Sequence, residues 1–250
     1  MAPRRKKAPP LPRLPPGART RAKLTYERLK EAYPAVTELA HQDPFQLLIA
    51  TILSAQTTDR AVNLVTPELF RRYPTAADLA AADPAVVETL IKPTGFYRAK
   101  TRSIIGASRK LVELFGGEVP SNIDHLVMLP GIGRKTANVI LGVGFQVPGF
   151  AVDTHVKRLT NRLKVTSSKD PVKIERQVCS IVPKEEWTGL SLRLILHGRR
   201  ICIARRPKCE ECILNDFCPS STTRMQQRRP RRPPAVDRAK RAQMVVIARG

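Results

Sequence analysis

Cys202, Cys209, Cys212 and Cys218 fall in the segment CIARRPKCEECILNDFC, spaced C-x6-C-x2-C-x5-C, so four thiols lie within seventeen residues. That crowding disfavours relaxed disulfides, and a shared metal centre is the natural use of four thiolates. Zinc sites commonly take two CxxC pairs set well apart, and this array has only one such pair. A 4Fe-4S cluster needs one thiolate per iron and tolerates uneven spacing, so it fits the array better than zinc, which stays the alternative. Cys179 lies outside the array and is expected to be a buried structural thiol.

A second chemical signal is LPGIGRKTAN, from Leu129 to Asn138. Pro130 ends one helix, Gly131 and Gly133 permit a sharp turn with bare backbone, and the next helix begins near Arg134. Free N–H groups and the positive end of the helix dipole then face outward, which suits a DNA phosphate. This helix-hairpin-helix pattern reads the backbone and not the bases, so it positions without specifying sequence. Lys135 sits in the first turn of that second helix. First turns prefer acids, so an Arg-Lys pair there runs against the dipole and favours the neutral, nucleophilic form of an amine. An amine attacking a sugar C1′ displaces a base, leaves a Schiff base and favours β-elimination of the 3′ phosphate. Asp153, in AVDTHVKRL, is the candidate partner, although Asp followed by Thr-His-Val reads first as a helix N-cap.

Charge points the same way. The formal net charge is +23, and its distribution matters more than its size. Residues 1–23 hold eight Lys/Arg and no acid, and residues 219–250 hold nine against the single Asp237, leaving +7 on residues 24–218. A polyanion is the implied partner, and nucleic acid is the obvious one. The Pro-rich, basic ends read as disordered tails that add salt-sensitive DNA affinity. The N-terminus has no apolar h-region and no stretch reaches membrane-spanning length, so a cytoplasmic setting without a membrane is expected.

The elements that must position these residues read as helices throughout. LTYERLKEAYP is a short amphipathic helix closed by Pro34. DPFQLLIATILSAQTTD enters through Asp43-Pro44 and is apolar enough to lie in the core. TAADLAAADPAVVETLIKP holds two short helices joined at Asp83-Pro84. AKTRSIIGASRKLVELFGG carries helical apolar spacing and ends in a Gly116-Gly117 C-cap. NIDHLVMLPGIGRKTANVILGVGF is two helices around the glycine hairpin, and VDTHVKRLTNRL, PVKIERQVCSIVP and WTGLSLRLILHGRRIC supply three more. No strand alternation is convincing, so the fold class is all-α.

DPFQLLIATILSAQTTD, LPGIGRKTANVIL, VDTHVKRL, LILHGRRICIARRPKC and the cysteine array, in that order, resemble endonuclease III, the DNA glycosylase and AP-lyase family of the helix-hairpin-helix superfamily. The resemblance runs from about Lys23 to Cys218. It implies two helical domains with a DNA cleft between them. One is a six-helix barrel over residues 37–148, containing the hairpin at about 123–145. The other is a discontinuous cluster domain from residues 21–36 and 149–218, flanked by tails at 1–20 and 219–250. It implies a 4Fe-4S cofactor on the four cysteines, and a monomer acting on double-stranded DNA with oxidised pyrimidines or abasic sites. Lys135 would be the Schiff-base nucleophile, Asp153 the carboxylate that assists it, and His155 a pocket residue. Ser54 and Gln56 would sit at the DNA interface, with Gln56 filling the gap left by the extruded nucleotide. Gly131, Gly133 and Arg134 would hold phosphate, as would Arg205, Arg206 and Lys208 between the first two cysteines. Phe96 stands where the family carries a leucine wedge, and Val127 where it often carries a glutamate. These departures bear on lesion range.

Two other functions share part of this pattern. An adenine-mismatch glycosylase has the fold and cysteine spacing, but carries a catalytic glutamate where this chain has Thr51, and lacks the lysine that stands here as Lys135. A non-catalytic iron-sulfur DNA-binding protein would need neither Lys135 nor Asp153. Deleting residues 1–20 and 225–250 is expected to weaken DNA binding and flatten its salt dependence while leaving catalysis on bound DNA. Binding titrations from low to high salt check this, and an unchanged slope of log affinity against log salt would refute it.

Overall fold

The computed structural model describes residues 13–223. Eleven α-helices and no strand lie among the described residues. They are α1 (Ala18–Ala32), α2 (Pro44–Leu53), α3 (Asp59–Arg72), α4 (Ala76–Ala80), α5 (Pro84–Ile91), α6 (Tyr97–Phe115), α7 (Ile123–Leu126), α8 (Arg134–Gly144), α9 (Thr154–Arg162), α10 (Pro171–Cys179) and α11 (Trp187–Arg200). Most begin at a side-chain cap. Asp43, Thr58, Thr75, Asp83, Asn122, Asp153 and Asp170 each accept an amide of the first turn. Pro44, Pro84 and Pro171 follow their caps where a missing N–H costs nothing.

The helices bury two separate cores. α2 to α8 enclose one, built around Leu48, Ile49, Leu53, Leu69, Leu111 and Ile140. The other joins Leu29 of α1 to Val156 and Leu159 of α9, Ile174 and Val178 of α10, and Leu190 and Leu194 of α11. The half-buried Cys202, Cys212 and Cys218 pack against this second core. The chain therefore leaves and re-enters the second body. Arg28 of α1 seals that return. It donates to Ile213 O at 2.7 Å and to Asp216 Oδ2 at 2.8 Å, and lies 5.2 Å over the Phe217 ring.

Several expectations need correction. α1 starts at Ala18, where Ala18 and Ala22 bury themselves against the body, so residues 18–20 belong to the fold and not to a tail. Arg21 explains why. It donates to Leu163 O at 2.6 Å and Lys164 O at 2.7 Å, closing the end of α9 with the first turns of α1. The C-terminal boundary also moves, because Ser220 Oγ donates to Arg162 O at 2.8 Å and Ser221 is buried. Residues 1–12 and 224–250, where the rest of both expected tails falls, lie outside the described residues. The tail truncation proposed above must therefore spare residues 13–20. Two local readings change as well. α2 stops at Leu53, and SAQT (residues 54–57) forms a turn before the cap at Thr58. α3 then runs through an internal Pro67, which hides the helix in the sequence.

Helices α8 and α11 meet at a close contact between the two bodies. A Cβ on Gly142 would lie 2.4 Å from Thr188 Oγ1 and 2.5 Å from its Cγ2. Thr188 Oγ1 in turn bonds Gly149 N and Gly149 O, both at 3.2 Å, so it has little room to yield. Gly142→Ala should overpack this seam and cost about 1–3 kcal/mol. A melting curve should show Tm lower by about 2–12 °C. An unchanged Tm would show that the seam is soft.

Candidate active site

The hairpin turn is built by Gly131. Its φ is 81°, and a Cβ there would meet Ser103 Cβ at 3.0 Å and Ile52 Cγ2 at 3.3 Å, so glycine alone fits. Gly133 is different. It is extended, with open space around its Cα, so its missing side chain leaves room for a ligand. No side chain caps α8, which leaves its first-turn N–H groups available to an anion.

Lys135, the second residue of α8, is exposed and lines a cavity of about 380 Å³. That is within the usual range of small-ligand pockets, about 300–1,000 Å³. Asp153, Thr154 and His155 of the α9 start line the same cavity, as do Ser54 and Gln56 after α2. Leu192, Ile195, Leu196 and Val139 give it apolar surface. The cavity thus takes Lys135 from the first body and Asp153 from the second. Both stand at helix N-termini.

Asp153 is a cap as well as a cavity residue. Its Oδ1 accepts Val156 N at 2.8 Å, which leaves Oδ2 over. His155 is half-buried, and its Nδ1 lies 3.1 Å from Arg158 Nη2. Arg158 also donates to Gly198 O at 2.9 Å and to Cys202 O at 2.9 and 3.1 Å. Burial holds the Arg158 guanidinium below its ordinary pKa. Thr51 lines the cavity too, but its hydroxyl donates to Leu47 O at 2.6 Å and offers no acid.

Sequence reasoning missed Glu38, Asp59 and Arg199. Arg199 Nη1 donates to Glu38 Oε2 at 2.6 Å and to Asp59 Oδ2 at 2.7 Å, and all three line the cavity. The trio joins α11 to α3 and to the segment before α2. Asp59 closes the quoted segment DPFQLLIATILSAQTTD, but nothing in the sequence assigned it a role there. Glu38 carried no signal.

The remaining expected contacts lie outside the cavity. Val127 is exposed beyond it. Arg134 makes a bidentate pair with Glu175 of α10, at 2.8 and 2.7 Å, which raises its pKa. Lys208 pairs with Glu211 at 3.5 Å, while Arg205 and Arg206 are exposed. Gln56, Phe96 and Arg206 share another property. They have φ of 55°, 48° and 54°, three of the five non-glycine residues with positive φ among the described residues. Such strain concentrates at functional sites.

All four array cysteines line one cavity, and none is in a disulfide. Burial, added to by the neighbouring thiols, pushes Cys212 up to about 11, so a bound metal centre must offset the thiolate charge. Among the described residues no three His, Cys, Asp or Glu side chains converge on a single-ion site. Four thiols around one cavity supply the donor set of a 4Fe-4S cluster, one sulfur per iron. Donors surround the ring. Arg162 Nη1 lies 3.2 Å from Cys202 Sγ, and His197 Nε2 lies 3.3 Å from Cys212 Sγ. Tyr33 Oη sits 3.0 Å from His197 Nδ1, and burial pushes His197 down to about 4, which keeps the imidazole neutral. Cys179 is half-buried on α10, and burial raises its thiol to about 12, as befits an inert structural residue.

Residues 49–184 match the model of the HhH-GPD superfamily of base excision DNA repair proteins, and residues 202–218 match the iron-sulfur binding domain of endonuclease III. Endonuclease III of Synechocystis is 52% identical over 195 residues, covering 77% of this chain and 89% of that protein. The chain belongs to the endonuclease III family. A non-covalent endonuclease III–DNA complex superposes with a TM-score of 0.78 at 40% identity, over 83% of this chain and 98% of that one. A trapped covalent endonuclease III–DNA intermediate, with an estranged adenine, also gives 0.78, at 41% identity and the same coverage. This family member is a DNA glycosylase and AP lyase of base-excision repair. Its cofactor is a 4Fe-4S cluster, and Cys202, Cys209, Cys212 and Cys218 are the residues that would hold it. Zinc gives way to that assignment.

Gly198 tests how His155 is held. A Cβ there would stand 2.9 Å from His155 Cβ and Nδ1. Gly198→Ala should push the ring into the cavity and lower kcat/KM about tenfold, equivalent to about 1.4 kcal/mol. The visible absorption of the cluster should stay as in the parent enzyme. Full activity would mean that His155 has space to move.

Proposed function

We propose that this enzyme removes oxidised pyrimidines from duplex DNA and then nicks the strand 3′ to the abasic site. The observation that carries the reading is the shared cavity of Lys135 and Asp153, one at each of two helix N-termini. A base must leave the stack to enter it, and extrusion costs a few kcal/mol, least for lesions that stack badly. Ring-saturated pyrimidines are such lesions.

Asp153 Oδ2 receives a proton from the Lys135 ammonium, and the neutral Nζ attacks C1′ of the extruded nucleotide. The N-glycosidic bond breaks, its electron pair leaves with the base, and the base is protonated as it departs. The sugar ring opens to a Schiff base between C1′ and Nζ. Loss of a C2′ proton then expels the 3′ phosphate by β-elimination, and water hydrolyses the imine to free Lys135. His155 and the apolar side chains of α11 bound the cavity. Gln56 and Phe96 occupy the space left in the stack, and the N-terminus of α8 with Gly133 holds a phosphate. Arg205 and Arg206 add backbone contacts. The cluster's own contribution is to fix this edge of the second body. No helix among the described residues is long and apolar enough to cross a membrane, and we place the enzyme as a monomer on the nucleoid in the cytoplasm.

Borohydride trapping on a duplex with one abasic site tests the chemistry. The parent enzyme should form a covalent adduct, and Lys135→Ala should form none. Asp153→Asn separates cap from carboxylate. Asparagine caps as well as aspartate, so the variant's stability should stay within about 0.5 kcal/mol of the parent's, while turnover falls about 100-fold or more. Strand scission surviving Lys135→Ala would overturn the mechanism.

A further inference from the structure

The segment before α6 carries strain that its own residues cannot support. Gly95 has φ 67° and ψ 161°, a region open essentially to glycine alone. Phe96 follows with φ 48° and ψ 26°, and its side chain is 67% exposed. A phenylalanine here is strained in backbone and wet in side chain at once. Phe96 is the N-cap of α6, yet no side chain caps that helix. Within the turn Gly95 N donates to Lys92 O at 3.2 Å, and the remaining support comes from contact with α6.

Lys100 supplies that contact. It is only 5% exposed, and its Nζ donates to Thr94 O at 2.8 Å. Thr94 is buried and donates its own hydroxyl to Ile91 O at 2.8 Å. Lys100 N and Ala99 N both donate to Phe96 O at 3.0 Å. One residue on α6 thus grips the chain on both sides of Gly95-Phe96, through its amide at residue 96 and its ammonium at residue 94. Among the described residues no carboxylate lies within 4.0 Å of that ammonium. Burial depresses its pKa, as expected for an amine taken out of water without a counter-charge. A buried, unpaired lysine is a poor way to stabilise a helix, and methionine would fill the same space at less cost. Its use at this turn needs a reason beyond packing.

We infer that Lys100 is a positioning residue for DNA unstacking, holding the Gly95-Phe96 turn so that the phenyl ring is set before DNA arrives. The role rests on Phe96 acting as a wedge in the reaction proposed above. Without the Nζ bond, residues 95 and 96 relax to ordinary backbone angles and the ring is no longer presented.

The test is a double-mutant cycle of Lys100→Met with Phe96→Ala in the full-length holoenzyme. The first readout is fluorescence of 2-aminopurine placed opposite a non-cleavable abasic analogue, which rises on unstacking. The second is kcat/KM on an oxidised pyrimidine in duplex and in a bulge, where the base is already out of the stack. Lys100→Met should lower duplex kcat/KM about tenfold and the fluorescence rise by a similar share, with little change on the bulge. In the Phe96→Ala background it should add nothing, because both changes remove one device. Equal losses on duplex and bulge, or additive losses in the cycle, would mark Lys100 as merely structural and overturn the inference. Should Lys100→Met melt below the assay temperature, Lys100→Gln keeps a donor with shorter reach and carries the same expectation. Schiff-base trapping by the parent enzyme is run alongside. Its failure would sink the lyase mechanism, while the fluorescence cycle would still decide Lys100.

Discussion

The cavity exists only where two bodies touch, and everything else in the structure serves that contact. Lys135 and Asp153 stand at the starts of α8 and α9, helices that pack into different hydrophobic cores joined through residues 145–153. Three kinds of contact fix the seam. Gly142 lets α8 lie directly on Thr188 of α11. Arg134 reaches Glu175 of α10, one residue from Lys135. Arg199 gathers Glu38 and Asp59 at the cavity wall. The Arg134–Glu175 pair is bidentate and its carboxylate is shielded, which favours it over an ordinary surface pair, whose contribution is about 0–1 kcal/mol. These ion pairs matter for geometry as much as for stability. A nucleophile misplaced by about 1 Å can lose 100-fold in rate.

The cysteine segment bears on the same contact from behind. Residues 201–218 contain a single short 3₁₀ turn and otherwise only isolated turn bonds such as Lys208 N to Ile201 O, so little regular structure holds their shape. Four metal-ligating thiolates can. Arginines of α9 carry that shape toward the cavity. Arg162 grips Cys202, Ile203 and Ala204, while Arg158 grips Cys202 O and touches His155. A cavity residue and a cluster ligand therefore share one guanidinium. Loss of the cluster would free Cys202, then Arg158, then the His155 ring, with no change to Lys135 itself. The cluster need not exchange electrons to matter for repair.

The sequence spoke most clearly where chemistry and local geometry coincide. The cysteine spacing, the glycine hairpin, Lys135 in a first turn and Asp153 at a cap were all readable because each sits on a short motif. Caps such as Asp43-Pro44 and Asp83-Pro84 announced helix starts for the same reason. What stayed hidden is what depends on distance through space. Glu38 and Arg199 are 161 residues apart and meet only after both bodies fold. α3 escaped because Pro67 interrupts it, although Val62, Val65 and Leu69 keep an apolar face buried on α2 and α5. The start of α1 escaped because a run of prolines and arginines looked like tail, while Ala18 and Ala22 pack and Arg21 caps α9. Asp153 shows the opposite case. Its cap reading was right and incomplete, since one oxygen caps and the other is free for the cavity.

Strained turns at Gln56 and Phe96 bring fold and function to one question, which is when the cost of unstacking is met. A positive-φ side chain costs about 1–3 kcal/mol unless its surroundings impose it. Base extrusion costs a few kcal/mol as well. If the turns ordered only on DNA, both costs would fall on the binding step. Gln56 takes its positive φ just beyond α2 and Phe96 at the head of α6, where the flanking helices fix both turns. Hydrophobic burial in the first core meets the backbone strain during folding, where Leu48, Ile49 and Ile104 are fully buried beside the turns' own helices. DNA binding then meets only the unstacking term, which is smallest at a damaged base. A wedge fixed by the fold therefore lowers the barrier alike at damaged and intact pairs, and discrimination is left to the difference in their extrusion costs, which favours the badly stacked lesion.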